Sequence, residues 1–179
     1  YAFKSQWFTK NGIKLVRNVN VSPGGIDWRD CAFISNEMAK KFEIFSLKEG
    51  DIVLSLDRPL ISTGLKVAKI TLNDLPSLLL QRVLKISPIY LSRDYLFTWL
   101  NSEMFKNSID PGRSIGVPHL SHKDVVKIAF PLPPVKVQDL ITEGLNSYFS
   151  AINHFSNRFE ILQLKTERLW KSELQQTFK

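Results

Sequence analysis

Basic and amide side chains at predicted turns and strand ends are the residues of this sequence best suited to binding chemistry. The planar fork of an Arg side chain matches O6 and N7 of guanine in the major groove of duplex DNA, and the Asn amide matches adenine there. Such side chains act best on loops that a rigid sheet holds in place. The predicted base-contacting residues are Arg17, Asn18, Arg58, Arg113 and Ser114.

A second set of basic side chains is better placed for phosphate than for bases. Contacts to phosphate position a protein on DNA without specifying a sequence. The alternative for every residue of both sets is an ordinary solvated surface charge. The predicted phosphate-contacting residues are Lys14, Lys66, Arg82 and Lys123.

The distribution of charge along the chain supports a polyanionic partner. The net charge is +7, and residues 1–137 carry 19 Lys and Arg against 12 Asp and Glu. Residues 138–179 carry five of each and are neutral. The excess charge therefore lies entirely on the first part of the chain, which is the pattern expected if that part binds nucleic acid.

No group of residues has the spacing that catalysis or metal binding needs. His119 and His122 stand three residues apart, but no Cys or further His joins them in a metal site. The segment LPPV at 132–135 lacks the acid or amide and the aromatic residue of a DNA methyltransferase motif, and no ATP-binding Gly-rich loop is present. We therefore predict a chain that recognises a partner without catalysis, with no catalytic residue, metal or cofactor.

Short apolar runs between turn signals predict the elements that position these side chains. The predicted fold class is α+β: a β-rich domain of mixed or antiparallel strands with short helices over residues 1–133, followed by one long helix over 134–179. Ser35, Ser92 and Ser121 are predicted N-caps of short helices. The predicted strands cover residues 13–19, 31–34, 52–56, 64–70, 78–86 and 127–130.

The stretch after Pro134 carries the clearest periodicity in the sequence. Its apolar residues recur at steps of three and four, as in a coiled coil, with one interruption at Thr166. A helix of about 40 residues is about 60 Å long, roughly twice the width of the preceding domain, so we expect it to pack against a second chain. The alternative is an amphipathic helix that lies on its own domain. The predicted pairing residues are Ile141, Leu145, Tyr148, Ile152, Phe155, Phe159, Leu162 and Leu169.

Cysteine content and hydropathy suggest a compartment. The single cysteine, Cys31, excludes an internal disulfide framework and fits a reducing environment. There is no signal segment and no run of about 20 apolar residues that predicts a membrane span. We predict a cytoplasmic protein with no membrane partner. Because the sequence opens at Tyr1 rather than Met, we expect further residues upstream.

Several segments, taken in order, resemble the specificity subunit of type I restriction-modification enzymes. LKEGDIVLS at 47–55 is similar to the family's L-x-x-G-D-I-L-x-S turn and strand. YLFTWLNS at 95–102 and IGVPHLS at 115–121 resemble its helix and its P-x-L-S loop. IAFPLPP at 128–134 with Gln138 resembles the entry into its long conserved helix. LQQTF at 174–178 resembles the close of that helix.

The resemblance implies an architecture with two recognition domains, each followed by a long helix. In the family the two helices pair antiparallel and set the distance between two half-sites on DNA. This chain has one domain and one helix, so it would pair as a homodimer or with a second recognition half. The implied partners are double-stranded DNA, a DNA methyltransferase (modification) subunit and, through the complex, a restriction subunit.

Two other functions remain open at this point. The chain could be the DNA-recognition fragment of a single-chain restriction-methylation enzyme. It could also be a coiled-coil assembly protein with no DNA partner. Retention on DNA that depends on the basic residues would separate the second of these from a recognition subunit.

Overall fold

The computed structural model describes residues 3–109 and 120–177. The chain divides into two compact units, Tyr1–Val135 and Lys136–Lys179. We call the first unit the head. Within the described ranges, no helix combines the length and the apolar character that crossing a bilayer requires.

Short strands make up most of the regular structure of the head. In chain order they are β1 (Phe8–Thr9), β2 (Ile13–Val16), β3 (Val21–Ser22), β4 (Gly25–Ile26), β5 (Ala32–Ile34), β6 (Ile52–Ser55), β7 (Leu60–Ile61), β8 (Gly64–Leu65), β9 (Val67–Lys69), β10 (Ser77–Leu79) and β11 (Val83–Ile86). The helices are α1 (Asn36–Lys40), α2 (Arg93–Leu100), α3 (Glu103–Ile109), α4 (His122–Val126) and α5 (Val135–Thr177). The predicted α+β class, with a β-rich head and one long C-terminal helix, is confirmed.

Two sheets and two small hairpins hold these strands. The first sheet has the order β1-β5-β2-β10, with β2 and β10 parallel and the other neighbours antiparallel. The second sheet is antiparallel, in the order β11-β6-β9. β3 pairs with β4 and β7 pairs with β8, both antiparallel. The head is therefore a mixed-sheet structure.

The central strand β6 is buried along its whole length because both of its faces are covered. Ile52 and Leu54 belong to an apolar cluster that contains Phe105 of α3 and residues of α2. Val53 points to the opposite side and joins a cluster with Val16 of the first sheet. The second sheet thus lies between the helices and the first sheet, and it provides a rigid base for the loops at its ends.

The single strand predicted over residues 78–86 is in fact two strands in different sheets. β10 pairs with β2, whereas β11 pairs with β6. Arg82 lies between them with φ 63°, in the left-handed region that breaks a strand. The continuous apolar composition of the segment hid this break, because both strands are buried on at least one side.

The strand predicted over residues 127–130 is wrong. These residues follow α4, and Lys127 has helical backbone angles as its C-cap. Ile128 and Phe130 still pack against the core cluster around Ile52. Burial therefore explains their apolar character, and no strand pairing is required.

The long helix α5 extends over 43 residues, which corresponds to about 65 Å at 1.5 Å per residue. Its apolar seam is largely in contact with solvent. Leu145 is half-buried, and the other predicted pairing residues are exposed: Ile141, Tyr148, Ile152, Phe155, Phe159, Leu162 and Leu169. The helix itself is confirmed, and its pairing with a second helix stays a prediction.

Candidate nucleic-acid interface

Polar side chains from separate segments converge where β6 ends. Ser55 is the last residue of β6, and its N–H donates to the carbonyl of Lys66 at 2.9 Å. Leu56, the next residue, donates its N–H to the carbonyl of Arg82 at 2.9 Å. These backbone bonds fix the spacing of the polar groups. We call the set the β6-end cluster, consisting of Asn18, Ser55, Asp57, Arg58, Lys66 and Arg82.

Asn18 is the centre of one half of the cluster. Its Oδ1 accepts a hydrogen bond from Lys66 Nζ at 3.2 Å and a second from the Ser55 hydroxyl. Ser55 Oγ also lies 2.9 Å from the carbonyl of Asp57. Asn18 and Lys66 are both half-buried, so the amide and the ammonium hold each other in fixed positions at the edge of the sheet.

An ion pair holds the other half of the cluster. Arg82 Nη1 lies 2.9 Å from Asp57 Oδ2. Arg58 and Arg82 have φ values of 48° and 63°, so both adopt the left-handed backbone conformation that is uncommon for residues other than Gly. Both side chains are exposed. The two turns therefore direct Arg58 and Arg82 outward from the sheet.

The cluster has an excess of positive charge. Arg58, Lys66 and Arg82 accompany the single carboxylate of Asp57. Burial lowers the pKa of Lys66, the nearby Asp57 carboxylate opposes that shift, and Arg58 adds to it. Because Arg58 repels the ammonium of Lys66, a bound anionic or acceptor group would relieve the repulsion.

An open cavity of about 410 Å³ adjoins the cluster. Leu120 donates its N–H to the carbonyl of Leu56 at 2.9 Å, which places the residues before α4 beside the end of β6. Ser121 caps α4 in a reciprocal capping box with Asp124. Lys123, a predicted phosphate contact, is exposed in the first turn of α4. The cavity is lined by Leu56, Asp57, Arg82, Leu120, Ser121 and His122.

Two predicted DNA contacts belong to other networks. The Arg17 guanidinium pairs with the Asp30 carboxylate at 2.9 Å, donates to the Asp30 carbonyl and donates to Asn20 Oδ1 at 3.2 Å. Lys14 Nζ donates to the carbonyl of Asn73 at 2.7 Å. Both side chains thus support neighbouring loops of the head, and their contact with DNA stays a prediction.

The structure places four predicted residues in one cluster and leaves two undescribed. Asn18, Arg58, Lys66 and Arg82 come together, although 64 positions separate the first from the last. Arg113 and Ser114, and the candidate metal ligand His119, lie outside the described residues.

Sequence analysis missed Ser55 and the role of Asp57 in this cluster. A hydroxyl that follows Ile52-Val53-Leu54 in a buried strand is a signal, because a buried polar group needs a hydrogen-bond partner. Over residues 3–109 and 120–177, no three His, Cys, Asp or Glu side chains lie close enough together to hold a metal ion.

Comparison with known proteins gives a family match and related chains. Residues 3–166 match the family described as the type I restriction modification DNA specificity domain. The chain is 49% identical over 155 residues to the type I restriction enzyme EcoAI specificity subunit of Escherichia coli, covering 86% of this chain and 26% of that protein. It is 31% identical over 175 residues to the MjaVIII specificity subunit of Methanocaldococcus jannaschii, covering 96% of this chain and 39% of the relative.

A solved structure supports the fold. One chain from a study of complex assembly and conformational transition of the type I R-M system superposes with a TM-score of 0.65 at 15% identity, covering 94% of this chain and 39% of that one. The chain spans only a quarter to two fifths of the length of these relatives. The family match covers most of the chain, and the protein therefore belongs to the type I restriction-modification DNA specificity family.

Proposed function

We propose that this chain recognises DNA sequence as the specificity component of a type I restriction-modification system and leaves methylation and cleavage to partner subunits. The observation that carries the proposal is the β6-end cluster. It gathers donors from four segments of the chain on a buried sheet and has more cations than anions. Arg, Lys and Asn side chains held in this way are suited to base edges and phosphates.

The partners follow from the family to which the chain belongs. Its matched relatives are named as specificity subunits of type I restriction enzymes. We propose that the chain directs a methyltransferase subunit, and through it a restriction subunit, to a bipartite DNA site in the cytoplasm. The head would contact one half-site of that bipartite site.

A second recognition half is required for a bipartite site. We propose that the exposed seam of α5 binds a second long helix, either from another copy or from a second half of the same kind. Phe155 is 72% exposed and Phe159 62% exposed, and aromatic side chains of this size are costly to leave in water along a helix. Because α5 is electrically neutral, pairing of two such helices meets little charge repulsion.

The test is the salt dependence of duplex binding by the full chain, measured by fluorescence anisotropy with the type I methyltransferase subunit of the same organism present. If the head neutralises several phosphates, the log–log plot of affinity against salt has a slope of several units. Negligible affinity for every duplex, unchanged by salt, would contradict the proposal.

The exposed seam also favours the alternative of an assembly protein whose helix is its only functional part. Both functions predict self-association. Retention on a DNA column that is lost in the Arg58→Ala, Arg82→Ala double variant is expected only for the recognition subunit. Equal retention of the variant and the unmodified chain would favour the assembly protein.

A further inference from the structure

We propose that Asn18 contacts the major-groove edge of a guanine, to which it donates a hydrogen bond, and that Ser55 and Lys66 position its amide for this role. This inference rests on the proposed DNA-recognition function and adds the class of base that the β6-end cluster selects. It differs from the adenine contact that an Asn side chain usually makes.

The orientation of the Asn18 amide follows from its neighbours. An ammonium group can only donate hydrogen bonds, so the amide atom facing Lys66 Nζ at 3.2 Å must be the oxygen. Ser55 Oγ approaches the same oxygen and also lies 2.9 Å from the carbonyl of Asp57, so Oδ1 faces Lys66 and Ser55 within the cluster. Among the described residues Asn18 Nδ2 has no hydrogen-bond acceptor, and it is not a buried unpaired atom, so its two protons are accessible to a ligand.

An amide fixed in this way cannot make the adenine contact. Bidentate pairing with adenine needs the Asn oxygen to accept from N6 while the nitrogen donates to N7. Here the oxygen faces Lys66 and Ser55 inside the cluster, so the side of the amide open to a ligand carries the donors. Guanine presents two adjacent acceptors, O6 and N7, and thus fits a site that only donates.

The basic side chains of the cluster also act only as hydrogen-bond donors. Arg58, Lys66 and Arg82 can only donate, and the carboxylate of Asp57 is engaged by Arg82 at 2.9 Å. Burial lowers the pKa of Lys66, and a partly desolvated ammonium gains from an additional acceptor nearby. Adenine and cytosine would present their amino groups to these donors, and the mismatch would exclude them.

A phosphate oxygen is the other acceptor that such a cluster could bind. A phosphate contact carries no sequence information, so experiment can distinguish it from a guanine contact. A guanine contact is sensitive to removal of N7, whereas a phosphate contact is insensitive to it.

The experiment is selection of duplexes from a random-sequence library by the full chain, alone and with the type I methyltransferase subunit of the same organism. Asn18→Asp replaces the amide donors by an oxygen beside Lys66. Asn36→Asp, an exposed position at the start of α1, is the control with the same change in chemistry and charge. We expect one guanine position of the selected motif to be lost in Asn18→Asp and kept in Asn36→Asp.

A second arm uses the unmodified protein and therefore does not depend on folding of the variant. Each guanine of the selected motif is replaced in turn by 7-deazaguanine, which keeps base pairing and removes N7. We expect roughly a tenfold loss of affinity at the position that Asn18→Asp affects. An Asn18→Asp motif with every guanine position intact, or no loss of affinity at any substituted guanine, would overturn the inference. Absence of any enriched motif would instead overturn the proposed function.

Discussion

The head buries its apolar residues, whereas the long helix exposes many of those along its seam. In the head, Ile52, Val53 and Leu54 of one strand are completely buried between two layers. In α5, Phe155, Phe159 and other seam residues are more than half exposed. Burial of an apolar side chain contributes about 1.5–3 kcal/mol, so the head already has this stabilisation, whereas the helix can gain it only from another surface.

The head and the long helix also differ in net charge. The head, residues 1–135, carries 18 Lys and Arg against 12 Asp and Glu, a net charge of +6, and the residues of α5 are neutral. Long-range attraction to a polyanion therefore belongs to the head, and apolar association belongs to the helix. The comparison predicts that each function can be disrupted without the other.

The largest expected effect comes from charging the seam. Phe155→Glu with Phe159→Glu should convert a self-associated chain to a monomer, because two large apolar contacts are replaced by carboxylates. We expect association to weaken by at least about 100-fold, roughly 3 kcal/mol. Light scattering during gel filtration measures this, and circular dichroism checks that helix content is retained.

The matched control for the seam is Ile161→Glu. Ile161 is also exposed and lies about 200° around the helix from Phe159, at about 100° per residue, and thus outside the seam. It should leave association unchanged. Equal loss in both variants, or a monomeric unmodified chain, would contradict pairing through the seam.

The next effect concerns the β6-end cluster. Arg58→Ala with Arg82→Ala should weaken duplex binding about 10- to 100-fold and reduce the salt slope by up to about two, because each lost cation releases one counterion fewer. Self-association should not change. Anisotropy titrations at several salt concentrations measure both the affinity and the salt slope.

Arg29→Ala is the control for this prediction, since Arg29 is highly exposed and pairs with Asp27 outside the cluster. A weaker effect of the double variant than of the control would argue against this interface.

Arg17 should behave differently from the two Arg residues of the cluster. Its bonds to Asn20 and Asp30 hold a loop, so Arg17→Ala should lower the free energy of unfolding by about 1–2 kcal/mol. Urea denaturation followed by tryptophan fluorescence measures the change. A large loss of DNA affinity with unchanged stability would instead support the predicted base contact.

The smallest expected effect is on the pH dependence of stability. Hydrogen bonds from Arg29 lower the pKa of Asp27 from 3.8 to about 2. A carboxylate with a lowered pKa stabilises the fold above its unfolded value, and this contribution is lost as the pH falls through the folded value. Asp27→Asn should therefore flatten the change in Tm between about pH 4 and pH 2. An unchanged slope would show that the pair contributes nothing to stability.

Local patterns were enough to predict the helix and the central strands. The three- and four-residue steps after Pro134 predicted α5, and the apolar run from Ile52 predicted β6. Residues 78–86 were wrong as one strand because the left-handed conformation of Arg82 depends on its tertiary position and not on its residue type. Periodicity therefore identifies helices and strands but does not show which sheet a strand joins.

The candidate site was predictable only as a set of residue types. Arg17 and Asn18 are neighbours in sequence, yet one pairs with Asp30 and the other with Ser55 and Lys66. Ser55 lies 37 residues from Asn18, so that hydrogen bond has no local signal. Only the three-dimensional contacts show which of these polar residues can face a ligand.

The most direct measurement of the central claim is methylome sequencing of the source cell with the gene present and deleted. Our account predicts that one bipartite methylated motif disappears on deletion, and that the motif is two-fold symmetric if two copies pair through α5. A methylome that is identical with and without the gene would contradict sequence recognition by this chain.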